Sequence, residues 1–143
     1  MSASIGEKAG EMEVELTRFL ETSSDSQSGL PSALYVSDAA LMLEKQSVFS
    51  KEWICVGRAE EFERPGAYRA ITIGDVPVLV IAQADGAILA MSNVWRHRGT
   101  VIAHGDGHAR QLVCPYHAWV YELDGRLRSA PFITDLERIN VAA

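Results

Sequence analysis

Asn93-Val94-Trp95-Arg96-His97-Arg98-Gly99 and Cys114-Pro115-Tyr116-His117-Ala118-Trp119 decide how this sequence is read, with sixteen residues lying between His97 and Cys114. All four histidines (His97, His104, His108 and His117) fall within a 21-residue window. Neutral imidazole and thiolate suit iron, zinc and iron–sulfur clusters, whereas calcium and magnesium take hard oxygen ligands. Two short loops, each carrying His near a thiolate position, are what a metal centre held between hairpins requires. Pro115 stiffens the second loop, and the spacing of Cys114 and His117 lets both reach one centre.

Around this stretch the pattern is one of short β-branched and apolar runs. Trp53–Val56, Tyr68–Ile73, Val78–Ile81, Ile88–Met91, Gln111–Val113 and Trp119–Leu123 are the expected strands. Glycines and Asp-Gly pairs punctuate them, with Gly105–Gly107 expected as a turn and Asp124-Gly125 as a hairpin. Further upstream, Glu7–Glu21 reads as an amphipathic helix with Met12, Leu16, Phe19 and Leu20 at helical spacing. A Ser-, Gly- and Pro-containing linker, Thr22–Ser32, ends it. A second helix follows, capped by Ser37 or Asp38 and turning Leu41, Leu43 and Phe49 inward. The expected organisation is a helical segment and linker over 1–50 and a small antiparallel β domain over 51–143.

The 143 residues include 48% apolar side chains, enough for one core. With 13 basic and 19 acidic residues, the net charge of -6 argues against a nucleic-acid phosphate footprint. The opening MSASIGEKAG has no apolar run of signal-peptide type. The longest apolar stretch, Val76–Ala82, is far too short for a bilayer span. Cys55 and Cys114 alone give no disulfide framework, and the expected setting is cytoplasmic. Cys55 is expected to be a small buried apolar residue, and Trp119 to belong to the core.

The two loops resemble those of the Rieske family, and in particular the N-terminal domain of the α subunit of Rieske non-haem iron ring-hydroxylating oxygenases. The family pattern is Cys-x-His, about sixteen residues, then Cys-x-x-His, with two Cys on one iron and two His on the other. His97, Cys114 and His117 fall on three of these positions. Arg96, Arg98 and Gly99 match the Arg-His-Arg-Gly around the first histidine, and Tyr121, Leu123, Asp124, Gly125 and Arg126 match the following hairpin. The likeness also takes in LPSALY, the Phe49–Trp53 region and the Gly66-Ala-Tyr strand. It implies a mainly β, Rieske-type antiparallel domain with two metal-binding hairpin loops, preceded by helices. It also implies an electron-transfer role beside a catalytic iron held elsewhere.

The departures matter as much. Trp95 stands where the family has its first cysteine, and indole nitrogen only donates a hydrogen bond. Structural four-ligand zinc sites bind with about 10–16 kcal/mol apparent, so a lost ligand removes on the order of 3 kcal/mol. A ring in place of a sulfur also overpacks at roughly 1–3 kcal/mol unless space is vacated. The expected occupant is therefore mononuclear iron on His97, Cys114 and His117, with an intact or partial [2Fe–2S] cluster, zinc or no metal as alternatives. Water, His104 or His108 are the candidates for a fourth ligand, although both histidines read as exposed loop residues. Trp95 and Tyr116 are expected to border the cofactor, Tyr116 either tuning the site or packing between loops. Ala118 replaces the family's glycine, at about 1 kcal/mol or more if φ is positive there; a relaxed loop is one reading of it.

All four histidines lie in the Rieske region, so a second iron site has no ligands here and the chain is expected not to act as a complete oxygenase. A variant Rieske-type metalloprotein with an electron-transfer role is the first functional reading. A non-catalytic binding or regulatory module, or a truncated α-subunit remnant, is the alternative. Oxygenase-system proteins or self-association supply the expected partners, with neither nucleic acid nor membrane.

Overall fold

Val76–Ala82 is the strand on which the β region is built, and its burial shows why. Leu79 and Ile81 are fully buried on one face, and Val80 and Ala82 on the other. A strand covered on both faces reads as a continuous apolar run instead of an alternation. The computed structural model describes residues 5–22, 29–94 and 98–131, with side chains from residue 10 onward. The chain divides into two units, Met1–Ile54 and Cys55–Ala143.

In the second unit, β1 (Ala67–Ile73), β2 (Val76–Ala82), β3 (Ile88–Ser92) and β4 (Gly105–His108) form an antiparallel sheet in the order β3-β2-β1-β4. A smaller antiparallel sheet runs β5 (Leu112–Val113), β6 (Val120–Tyr121) and β7 (Leu127–Ser129). Leu79 and Ile81 meet Ala103, Leu112, Cys114, Trp119, Tyr121 and Ala130 in the main core. On the opposite face of β2, Val80 and Ala82 pack with Phe62 from a 3₁₀ turn, Ala59–Phe62. Asp124-Gly125 forms the expected hairpin turn: Gly125 takes φ 86°, and Arg126 N donates to Asp124 Oδ1 at 3.0 Å. Trp119 is in the core, as expected.

Two expected elements are corrected. Trp53–Val56 is not a strand; it is irregular, with Trp53 fully exposed, because no strand among the described residues pairs with it. Gly105–His108 is not a turn but β4, in register with β1 through Tyr68↔Gly107 and Arg69↔Asp106. The Tyr68 ring lies across Gly107, where a Cβ would come within 2.6 Å of it. An aromatic covering a cross-strand glycine supplies the packing that the glycine lacks, which is how a turn-like sequence holds a strand.

The first unit contains α1 (Ile5–Glu21), α2 (Ala33–Val36) and α3 (Asp38–Glu44), the last running on as a π-helical turn, Lys45–Phe49. Ser37 caps α3, its hydroxyl accepting from Ala39 N and Ala40 N at 3.2 and 3.4 Å. The inward residues of α3 are Ala39 and Ala40; Leu41 and Phe49 face outward, contrary to the helical spacing. The π-helical turn shifts the angular register before Phe49, and small alanines suit close approach to α1, which packs on α3. Leu20 is likewise exposed, while Met12, Leu16 and Phe19 are half-buried.

Candidate metal centre

Each loop is closed at its base by groups that are not ligands. After β3, Asn93 is 3% exposed, and its carboxamide pairs with one residue across the loop. Nδ2 donates to Ala103 O at 2.8 Å, and Oδ1 accepts from Ala103 N at 3.0 Å. Asn93 O also accepts from Ile102 N at 3.3 Å, and Val94 bridges Val101. A buried amide that leaves no polar group of Ala103 unsatisfied acts as a bolt across the first loop. The motif that begins at Asn93 does not by itself mark this role; its signal in the sequence is a polar residue closing an apolar strand.

The second loop is closed by backbone hydrogen bonds. Cys114 N donates to Trp119 O at 2.8 Å, and Ala118 N to Cys114 O at 3.0 Å. Ala118 takes φ 55°, so the alanine sits in the left-handed region and the loop has not relaxed. Cys114 is 2% exposed against Leu79 and Ile81, and His117 is half-buried with Nδ1 sealed from solvent. The exposed Tyr116 packs against His117 in a tilted contact, ring centroids 4.0 Å apart at 46°. From the first loop, Arg98 Cζ lies 5.8 Å from the Tyr116 ring centroid.

Of the expected site residues, Cys114, Tyr116 and His117 are thus together on one loop, whereas Trp95 and His97 lie outside the described residues. His104 and His108 are both exposed, before and at the end of β4. Four residues of strand separate them by about 13 Å, too far to share an ion. Among the described residues, no three His, Cys, Asp or Glu groups gather as metal ligands.

Charge beside the loops centres on Arg69 of β1. Its guanidinium donates to Asp106 Oδ1 and Oδ2 at 2.9 and 2.8 Å, to Glu61 Oε1 at 2.9 Å, and to Val56 O at 3.0 Å. Hydrogen bonds from Arg69 hold both carboxyls below their ordinary range, with the Arg58 backbone N–H assisting at Glu61. The same bonds raise Arg69.

A two-sheet antiparallel β domain that carries a buried thiol and an imidazole on one hairpin loop, facing a second bolted loop, has the framework of a metal-binding domain of the iron–sulfur type. Residues 52–140 match the Rieske [2Fe-2S] domain, and the chain belongs to that family. It is similar to the glycine betaine monooxygenase oxygenase subunit of Pseudomonas aeruginosa, 42% identical over 73% of this chain and 25% of that protein. The benzene 1,2-dioxygenase subunit alpha of Pseudomonas putida is 34% identical over 81% of this chain and 26% of its own. Among solved structures, the quaternary ammonium Rieske monooxygenase CntA superposes with a TM-score of 0.66 and 32% identity, over 79% of this chain and 32% of that one. The chain thus spans about a quarter of the length of the curated relatives it matches.

The family's cluster takes two Cys and two His. This chain has Cys55 and Cys114 only. Cys114 packs on the Leu79 and Ile81 face of β2, whereas Val56, next to Cys55, packs on the Val80 and Ala82 face. Cys55 is exposed, not a buried apolar residue as its sequence setting suggested. It sits on an unpaired segment at the edge of the core. Of the two cysteines only Cys114 lies on one of the two loops, and a single thiol there does not fit a cluster anchored by two cysteines.

Proposed function

We propose that this chain is a Rieske-type module of an oxygenase system whose four-ligand site has become a three-ligand site for one metal ion. His97, Cys114 and His117 are its ligands, and iron is the metal. The observation that carries this reading is the single buried thiol: Cys114 is buried in the core at the second loop, whereas Cys55 is exposed; on this reading Trp95 stands at the family's first cysteine position. One iron bound by nitrogen and sulfur would supply single-electron exchange, and water would complete its coordination. The chain's own contribution is the bolted first loop, the closed second loop and the apolar bed that excludes water from Cys114.

Partners of this module are the other proteins of an oxygenase system or a second copy of the chain, in keeping with relatives that are oxygenase subunits. Among the described residues no helix is long and apolar enough to cross a membrane. We place the module in the cytoplasm.

Metal analysis with acid-labile sulfide tests the proposal. One iron per chain without sulfide is the expected result, with a reversible iron wave in voltammetry. Sulfide in step with iron restores the family's cluster, and zinc alone removes the redox role. A second reading, a non-catalytic docking module, is favoured by Ala118: the loop keeps its left-handed turn although the ligand set has changed. A chain that binds no metal yet captures an oxygenase subunit would establish it.

A further inference from the structure

Arg98, Tyr116 and His117 form a row of contacts between the two loops, the Tyr116 and His117 rings meeting at 46°, and hydrophobic burial does not account for it. Tyr116 is 58% exposed, so its ring is not placed there to leave water. Consecutive side chains on extended backbone point to opposite sides. Here the turn closed by Ala118 N and Cys114 O brings both rings to one side, 4.0 Å apart. Arg98 reaches the outer ring from the other loop, within the distance at which a guanidinium is attracted to an aromatic face.

We propose that Tyr116 and Arg98 are positioning residues for His117: the tyrosine ring braces the imidazole, and the arginine braces the ring from the first loop. The proposal rests on His117 being a metal ligand and adds how it is held before an ion arrives. A half-buried imidazole on a short loop has more than one rotamer open to it. An aromatic wall on one face removes some of them, so less ordering remains to be done on binding. The contact also couples the loops, since Arg98 directly follows His97 and Tyr116 directly precedes His117. A ligand set divided between two loops gains from any contact that fixes one loop against the other.

The test uses the full chain with cobalt(II) as probe ion and imidazole proton resonances as a metal-free readout. In wild type the Tyr116 ring current displaces the His117 resonances from free-imidazole positions. Tyr116→Leu returns them toward those positions and weakens cobalt binding about three- to tenfold. Tyr116→Phe keeps both the resonances and the affinity, because the hydroxyl has no part in the brace. Arg98→Ala weakens binding by roughly two- to threefold, with Arg98→Lys partly rescuing it. Should Tyr116→Leu fail to fold, Arg98→Ala carries the test, since Arg98 is exposed. Unmoved His117 resonances in the folded variant, or cobalt affinity within about twofold of wild type in Tyr116→Leu, would overturn the proposal. Wild type that takes up no cobalt removes the metal-site reading instead, and the imidazole resonances then decide the brace alone.

Discussion

The two loops differ in how they are closed. The first is bolted by a side chain, Asn93, whose amide occupies both backbone groups of Ala103. The second is closed by its own backbone and sits on a core that includes Cys114 itself. Each carries one departure from the pattern that the sequence resemblance implies, Trp95 in the first and Ala118 in the second. On the proposed reading Trp95 would change which atoms reach a metal, whereas Ala118 changes only the cost of a turn that the loop still makes. Loop framework and ligand identity are therefore separable: the framework is written in buried amides and backbone, the ligand identity in single side chains.

The largest way to break that comparison is to return the missing ligand. If the framework is intact, Trp95→Cys reconstituted with iron and sulfide should hold about two acid-labile sulfides per chain, as a [2Fe–2S] centre does. Wild type should hold none. Failure of the variant to retain sulfide, with the fold preserved, would mean that the framework has been lost along with the ligand. Next in size is the bolt. Asn93→Ala strands a buried N–H and a buried C=O of Ala103, at about 2–4 kcal/mol. A urea midpoint within error of wild type would show that the first loop does not depend on Asn93.

At the second loop the expected change is a gain. Ala118 at φ 55° pays the crowding of Cβ against the backbone, which glycine does not have. Ala118→Gly should stabilise the fold by about 1 kcal/mol, a rise of roughly 4–8 °C in Tm for a domain of this size. A drop in Tm would show that the greater freedom of glycine in the unfolded chain outweighs the relief.

What was legible in the sequence follows the same division. The strand runs and the Asp124-Gly125 hairpin could be read because period-two patterning and turn chemistry are local. Gly105–His108 could not, since what makes it a strand is Tyr68, distant in sequence and lying across Gly107. Trp53–Val56 has strand composition but no partner, and pairing is a property of the sheet, not of the segment. Residue types and spacing put Cys114 and His117 on one short loop, and the structure has them there. The role of Asn93, the stack of Arg98 on Tyr116 and the exposure of Cys55 depend on tertiary neighbours that no local pattern encodes.

The smallest effect sharpens the comparison where the first loop returns to the sheet. Asp106 lies on β4, just past that loop, and Arg69 ties it to Glu61 and to Val56 O. In the fold Arg69 lowers the pKa of both carboxyls. Their stabilisation is thus complete above the ordinary aspartate and glutamate range and is lost as pH falls through the lowered folded values. These groups are largely exposed, so the effect is modest and fades with salt. Urea midpoints at neutral pH and at about pH 3 should fall less for Arg69→Met than for wild type, and the gap between them should shrink in high salt. Equal acid losses in the two proteins would assign the acid sensitivity to other carboxylates, and would leave Asn93 as the only tested tie between the first loop and the sheet.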